Sequence, residues 1–156
     1  MLEKCSKLCD LAAEYDVRAI KESVTWSCIP GVATAARLIK EAGRENVGFV
    51  VNVLHCYRLH NDMDVLQSLP KEWFGCAHLC DCAKEIPTDN ETLFHNGCAE
   101  RLYSDEETIP IKEIANQISW LVCVVEVLRI KHLGELGLDE HARCALQATK
   151  RVMDEE

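Results

Sequence analysis

Apolar positions follow two periods along this chain. Leu2, Cys5, Leu8, Cys9, Leu11 and Ala12 recur at helical spacing, which predicts an amphipathic helix over residues 2–15 that closes at Tyr15-Asp16. Elsewhere the apolar residues run together. From Val47 through Gly48, Phe49, Val50, Val51, Asn52, Val53 and Leu54 to His55 the run is short, branched and aromatic, and it follows turn signals at Gly43 and Asn46. That composition predicts a parallel strand buried on both faces, with Asn52 and His55 at its carboxy end. Three further runs carry polar groups in the same place: Val17 to Val24 contains Glu22, Trp73 to Cys80 contains His78 and leads to Asp81, and Leu121 to Leu128 contains Glu126.

Helical patterns separate these runs. After a break at Pro30-Gly31, Thr34 starts a helix through Ala35, Leu38, Ile39 and Ala42 that stops at Gly43. Asn61 or Asp62 can cap a short helix with Met63, Val65, Leu66 and Leu69 as apolar positions, ended by Pro70. Residues 81–108 are polar and irregular, with Pro87, Asp89-Asn90 and Asn96-Gly97, and read as a long functional loop. Pro110 suits a first helical turn continued by Ile111, Ile114, Ala115 and Ile118, and a last helix runs from Leu138 to Met153. A succession of βα units implies parallel strands. The expected fold is α/β: a partial (β/α) barrel of about four parallel strands with flanking helices, over residues 1–156 as a single domain. Its site would lie where the carboxy ends of the strands gather.

Composition narrows the partners. With 17 Lys and Arg against 26 Asp and Glu, the net charge is -9, and no basic cluster relieves it, so nucleic-acid backbones and anionic lipid surfaces are repelled. No apolar stretch approaches the roughly 18 residues of a membrane span, and the first residues are amphipathic rather than basic and then apolar, so a cytoplasmic protein is expected. At 48% hydrophobic and 28% charged residues, the chain has the balance of an ordinary soluble domain. Its 10 cysteines sit mostly inside apolar patterns and are expected as reduced, buried thiols. Cys76, His78, Cys80 and Cys82 share a parity that raises a thiolate metal site. Same-face neighbours on one strand are about 7 Å apart, however, too far to converge without a turn.

Glu22, Asn52, His78 and Glu126 each belong to the end of a different strand. With a shared inward parity they converge, and carboxylate, carboxamide and imidazole together suit a divalent ion such as Mn²⁺, Mg²⁺, Co²⁺ or Zn²⁺. A Glu in a run as apolar as Leu121 to Leu128 is costly to bury without a function.

Several pieces, in order and at matching spacing, resemble the carboxy-terminal half of the xylose isomerase-like TIM-barrel superfamily, the sugar phosphate isomerase/epimerase group. They are Asn46-Val47-Gly48 leading to Asn52-Val53-Leu54-His55 and Arg58; His78-Leu79-Cys80-Asp81 followed by Glu85-Ile86-Pro87; Glu100-Arg101-Leu102 before Ile109-Pro110; and Val125-Glu126-Val127. The resemblance implies a metal held by Glu22, Asn52, His78 and Glu126. It also implies catalysis by Glu22 and Glu126, which would flank a substrate carbon and move its proton, and binding of hydroxyl or phosphate oxygens by His55, Arg58, Lys84 and Arg101. The implied substrate is a small sugar or sugar phosphate, and the implied partner is a second copy or a separate amino-terminal half.

The chain departs from that family's pattern in three ways. Asn52 stands where the family has Asp. Ser104-Asp105-Glu106-Glu107 replaces a Gly-Glu-Gly turn, which asks a glycine-type backbone of other residues. Four strands stand in place of the eight in a complete barrel of about 250 residues. Two other classes compete with the isomerase: a nuclease on the same fold, which the charge of -9 disfavours, and a non-catalytic half-barrel acting as a binding or assembly module.

Overall fold

The computed structural model describes residues 1–27, 31–60, 63–106 and 108–154. Four strands, β1 (Ala19–Glu22), β2 (Val47–Asn52), β3 (Phe74–Leu79) and β4 (Cys123–Val125), pair in chain order as one parallel sheet. Helix α1 (Leu2–Ala13) precedes β1, and α2 (Gly31–Ala42) joins β1 to β2. Helices α3 (Val53–Arg58) and α4 (Met63–Ser68), then a 3-10 turn at Lys71–Trp73, lead to β3. Helices α5 (Asn90–Ala99) and α6 (Ile111–Gln117) lie between β3 and β4, and α7 (Ile130–Leu136) and α8 (Leu138–Asp154) follow. This is a partial (β/α) barrel of parallel strands with flanking helices.

The two faces of the sheet differ sharply. Phe49, Val51, Phe74, Ala77 and Leu79 are buried and pack with Leu54, Leu66, Ile111, Ile114 and Ile118 of the helical layer, and the rings of Phe49 and Phe74 lie 4.6 Å apart. Alternation along a strand sends the intervening residues the other way. Pairing aligns Glu22 with Val50, and Asn52 with His78 and Val124, so these side chains share the opposite face. That face is open. Ile20 is 44% exposed and Val124 42% exposed, where further strands would cover them in a complete barrel.

Several elements differ from the expectations drawn from sequence. The second strand stops at Asn52 and the chain turns at once into α3, so His55 lies on a helix, not at the end of a strand. The fourth strand is short and sits at an edge, with Val122 71% exposed, where a strand buried on both faces was expected. A strand with one neighbour buries less of itself. The stretch 81–108 contains α5, capped by Asp89 accepting from Thr92 N at 2.8 Å. The expected caps Asn61 and Asp62, and the break at Pro30, lie outside the described residues. Ser104, Asp105 and Glu106 have no positive φ, so the expected backbone strain does not arise at these three residues, and Glu107 lies outside the described residues. Their side chains are used instead: Ser104 bonds Thr149 at 2.8 Å, Asp105 pairs with Arg151 at 2.7 Å, and Glu106 pairs with Arg129 at 2.5 Å. Cysteine burial is also more varied than expected. Cys9, Cys56, Cys80 and Cys82 are buried, whereas Cys76 is half-buried on the open face and Cys123 is exposed on the edge strand.

Arg18 ties the amino ends of two strands together, donating from Nη2 to Val47 O at 3.1 Å and from Nη1 to Phe74 O at 3.4 Å. It also bonds Glu72 O. Gly48 makes room for it: a Cβ there would fall 2.5 Å from Trp73 O and 2.7 Å from Arg18 Nη2. Backbone cannot yield as a side-chain tip can, so Gly48→Ala is expected to cost about 1–3 kcal/mol of stability. Urea unfolding of the two proteins checks this; equal midpoints would contradict it.

Candidate metal centre

Each polar side chain on the open face is placed by a strand end. Glu22 is the last residue of β1, Asn52 the last of β2 and the cap of α3, and His78 the penultimate residue of β3. Glu126 follows β4, and its N–H donates to Leu79 O at 2.9 Å, which carries the ladder one residue further. In a flat sheet, β1 and β4 would be roughly 14 Å apart, three strand spacings. Yet one amide nitrogen, Asn52 Nδ2, donates to Glu22 Oε1 at 2.7 Å and to Glu126 Oε2 at 3.1 Å. The curvature of a barrel wall is what brings these side chains together.

Neighbouring groups set the direction of the Asn52 amide in the ion-free protein. Its oxygen does not face the cluster; Oδ1 accepts from Leu54 N at 3.2 Å and caps α3. A flipped amide would set its NH₂ against the Leu54 N–H and its oxygen against two carboxylates, so the network fixes the orientation. The group facing the site is a donor, which cannot ligate a cation.

Glu22, His78 and Glu126 each offer a ligand atom, and these atoms lie within 4.8 Å of one another. All three side chains are partly open to solvent, at 33%, 21% and 30% exposure. His78 Nδ1 lies 3.1 Å from Glu126 Oε2 and 3.7 Å from Glu22 Oε1 but meets hydrogen-bond geometry with neither, so a buried nitrogen lacks a hydrogen-bond partner. A buried nitrogen attracted to two carboxylates yet bonded to neither fits a divalent ion, and imidazole with carboxylate is a donor set that Mn²⁺, Co²⁺ and Zn²⁺ accept. No cysteine belongs to this group. Cys80 is buried, and burial pushes its thiol up to about 12.

Arg101 completes the cluster in a way that no local pattern announced. Its Nη1 contacts Glu126 Oε2 at 2.5 Å and the Glu126 carbonyl at 3.2 Å, while Nε donates to Gly97 O at 2.7 Å. Burial works to raise the Glu126 carboxyl, but His78 and then Arg101 outweigh it and hold it at about 2. His78 itself is raised to about 10, chiefly by Glu126 and then Glu22. Glu22 is held below the usual carboxylate range, first by His78 and also by Asn52.

The other expected binding residues divide. His55 is buried, and Thr25 N approaches its Nδ1 at 3.3 Å with Thr25 Oγ1 at 2.7 Å. A backbone N–H can only donate, so Nδ1 accepts and the ring proton sits on Nε2. Burial, with Arg101 next, lowers the His55 pKa to about 4. Arg58 is 5% exposed, donates to Leu93 O at 3.5 Å, and keeps a buried Nε without a partner. Lys84 is exposed and joins none of these contacts among the described residues. Asp81, the last residue of the His78-Leu79-Cys80-Asp81 motif, is used structurally. Its Oδ1 accepts from Cys82 N at 2.8 Å and Ile109 N at 3.0 Å, fastening the segment after β3. Thr25 and Trp26, whose ring lies edge-on to His55 at 5.2 Å, carry no pattern in the sequence that marks them for the site.

These shifts set a pH profile for the ion-free protein. The folded-state pKa of His78 lies above its ordinary 6.5, so its contribution is complete below about pH 6.5 and fades as pH rises toward 10. For His55 the folded value lies below 6.5, so stability is lost as pH falls from 6.5 toward 4, and Glu126 adds to that loss below about 4.5. With a chelator present, thermal stability is expected to peak near pH 6.5, and His78→Gln should flatten the alkaline side. A stability that climbs between pH 7 and 9 would contradict this assignment.

The sequence matches no protein-family model and no curated protein. Its fold does match solved structures. A zinc-binding IolI protein aligns with a TM-score of 0.82 and 18% identity, over 97% of this chain and 54% of that one. A xylose isomerase domain containing protein from Salmonella typhimurium LT2 aligns at 0.77 with 16% identity, over 98% and 57%. The probable 3-DHS dehydratase AsbF of Bacillus anthracis, involved in petrobactin synthesis, aligns at 0.75 with 13% identity, over 99% and 56%. The chain spans about half the length of these relatives in structure. Its fold is that of about half of a TIM barrel, similar to these structures.

Proposed function

We propose that this chain carries the metal-binding wall of a sugar or sugar-phosphate isomerase or epimerase, corresponding to the carboxy-terminal half of the barrel. One observation carries the reading: Glu22, His78 and Glu126 converge at the ends of three strands with a buried His78 nitrogen that lacks a hydrogen-bond partner. These three residues would hold a divalent ion. When bound, such an ion would polarise a substrate carbonyl and so favour loss of a proton from the adjacent carbon. The zinc in the IolI structure supports an ion of that class.

Within this reading the two carboxylates are the proton carriers, and they are not equivalent. Glu126 is clamped by Arg101, whereas Glu22 is held by Asn52 and His78 alone. Glu22 is therefore the freer group to take a proton from carbon, with Glu126 on the other side of the cluster to return one. His55 is neutral near pH 7, and its Nε2 proton serves a substrate oxygen; Arg58 retains donor capacity for a hydroxyl or phosphate oxygen. Lys84 reaches the substrate only if its exposed segment closes over the site. No helix among the described residues is long and apolar enough to cross a membrane.

A second reading, a binding or assembly module without catalysis, draws on a different observation. Asn52, His78 and Arg101 already surround the carboxylates with donors and positive charge, so the charge of the two carboxylates is balanced without an ion.

Solvent-exchange measurements separate the two. A panel of ketoses, aldoses and their phosphates, incubated with the protein and Mn²⁺ in D₂O, is expected to show deuterium entering the carbon beside the carbonyl of at least one compound. Glu22→Gln and Glu126→Gln should each slow that exchange by about 10²–10⁴-fold. Exchange that survives both substitutions would take the proton transfer away from the two glutamates, and none above the protein-free control would favour the module.

A further inference from the structure

The amide of Asn52 sits where an ion would draw the two glutamates together, and it already does so. Nδ2 bonds both carboxylates while Oδ1 is committed to the first turn of α3. From this geometry we infer that Asn52 is a positioning residue: it holds Glu22 and Glu126 at ligating separation in the ion-free protein, is not itself a ligand, and competes with the ion for the carboxylate oxygens. The metal side of this inference rests on the function proposed above; the ion-free side does not.

Three features favour a built bridge over an incidental contact. Asn52 is 1% exposed, so its amide hydrogens have no water to turn to and must be satisfied inside the protein. Its two acceptors come from β1 and from the end of β4, the outermost strands of the sheet, so the contact ties together elements that share no ladder. The backbone around it is also committed. Val53 and Leu54 are fully buried, which fixes the first turn of α3 that the amide oxygen caps.

The consequences differ by substitution. Asn52→Ser keeps an oxygen to cap α3 but is too short to span both carboxylates. Asn52→Asp keeps the cap and the shape, loses the donor, and adds a negative charge beside Glu22 and Glu126. Without an ion, both variants should therefore be less stable than the parent, Asn52→Asp the more so. With an ion, Asn52→Ser should stay within about tenfold of the parent's affinity, because the lost positioning and the removed competitor offset each other and no ligand is lost. Asn52→Asp should bind roughly 10–100-fold more tightly, since it supplies a charged fourth ligand.

The test uses the full chain in two conditions. In chelator, thermal unfolding is expected to place Asn52→Asp about 4–8 °C below the parent, with Asn52→Ser between them. In chelator-free buffer, calorimetric titration with Mn²⁺ measures affinity, and the visible spectrum of bound Co²⁺ should change only for Asn52→Asp, which alone gains a ligand. Loss of about tenfold or more in Mn²⁺ affinity on Asn52→Ser would make Asn52 a ligand and overturn the inference. Equal stability of all three proteins in chelator would remove the bridge and overturn it as well. If no variant takes up Mn²⁺, the metal reading falls, and the chelator measurements still decide the role of Asn52.

Discussion

Two carboxylates that share one small space must be neutralised, and the arrangement at the open end of this sheet follows from that constraint. At about 4 Å and an effective dielectric near 20, two like charges repel by roughly 4 kcal/mol. Glu22 and Glu126 nevertheless approach the same Asn52 nitrogen, from β1 and from the far edge of the sheet. The protein offsets the repulsion with an amide donor, with the imidazole of His78 and with the guanidinium of Arg101. Each comes from a different segment. The curvature of the sheet, the tight turn from β2 into α3, and the crossing that brings Arg101 back beside β4 all bear on this one cluster.

The same constraint makes the site responsive. A divalent ion entering between Glu22, His78 and Glu126 would replace the proton that holds His78 positive, so ion binding and proton release are coupled. In the ion-free protein the groups stay assembled, because the donors around the carboxylates do part of an ion's electrostatic work. Arg101 remains on Glu126 in that state and leaves Glu22 as the less encumbered carboxylate. Two residues of the same type thus acquire different surroundings from their neighbours alone, which is how one fold can assign unequal proton-transfer roles.

Much of the fold was legible in the sequence. The four apolar runs became the four strands, and Glu22, Asn52 and His78 stand at the end of β1, β2 and β3, with Glu126 just beyond β4, as their place in the runs implied. The failures have local causes. Val53 and Leu54 continue the apolar run of β2, so α3 has the look of strand; the cap formed by Asn52 was the available signal, and it is a signal that buried apolar neighbours mask. Helix α5 has few buried positions, which hides its period within a polar stretch where Asp89 and Thr92 alone mark its start. The direction of the Asn52 amide and the clamp of Arg101 on Glu126 depend on partners 30, 74 and 25 residues away, so no window of sequence contains them.

The central claim is that Glu22, His78 and Glu126 form one ion-binding group on the open face. X-ray absorption at the zinc edge of the Zn²⁺-loaded protein tests it directly. The account predicts a first shell of oxygen and nitrogen at about 2.0–2.1 Å, with an imidazole signature that disappears in His78→Ala. A sulfur shell near about 2.3 Å, or an imidazole signature that persists in His78→Ala, would contradict it.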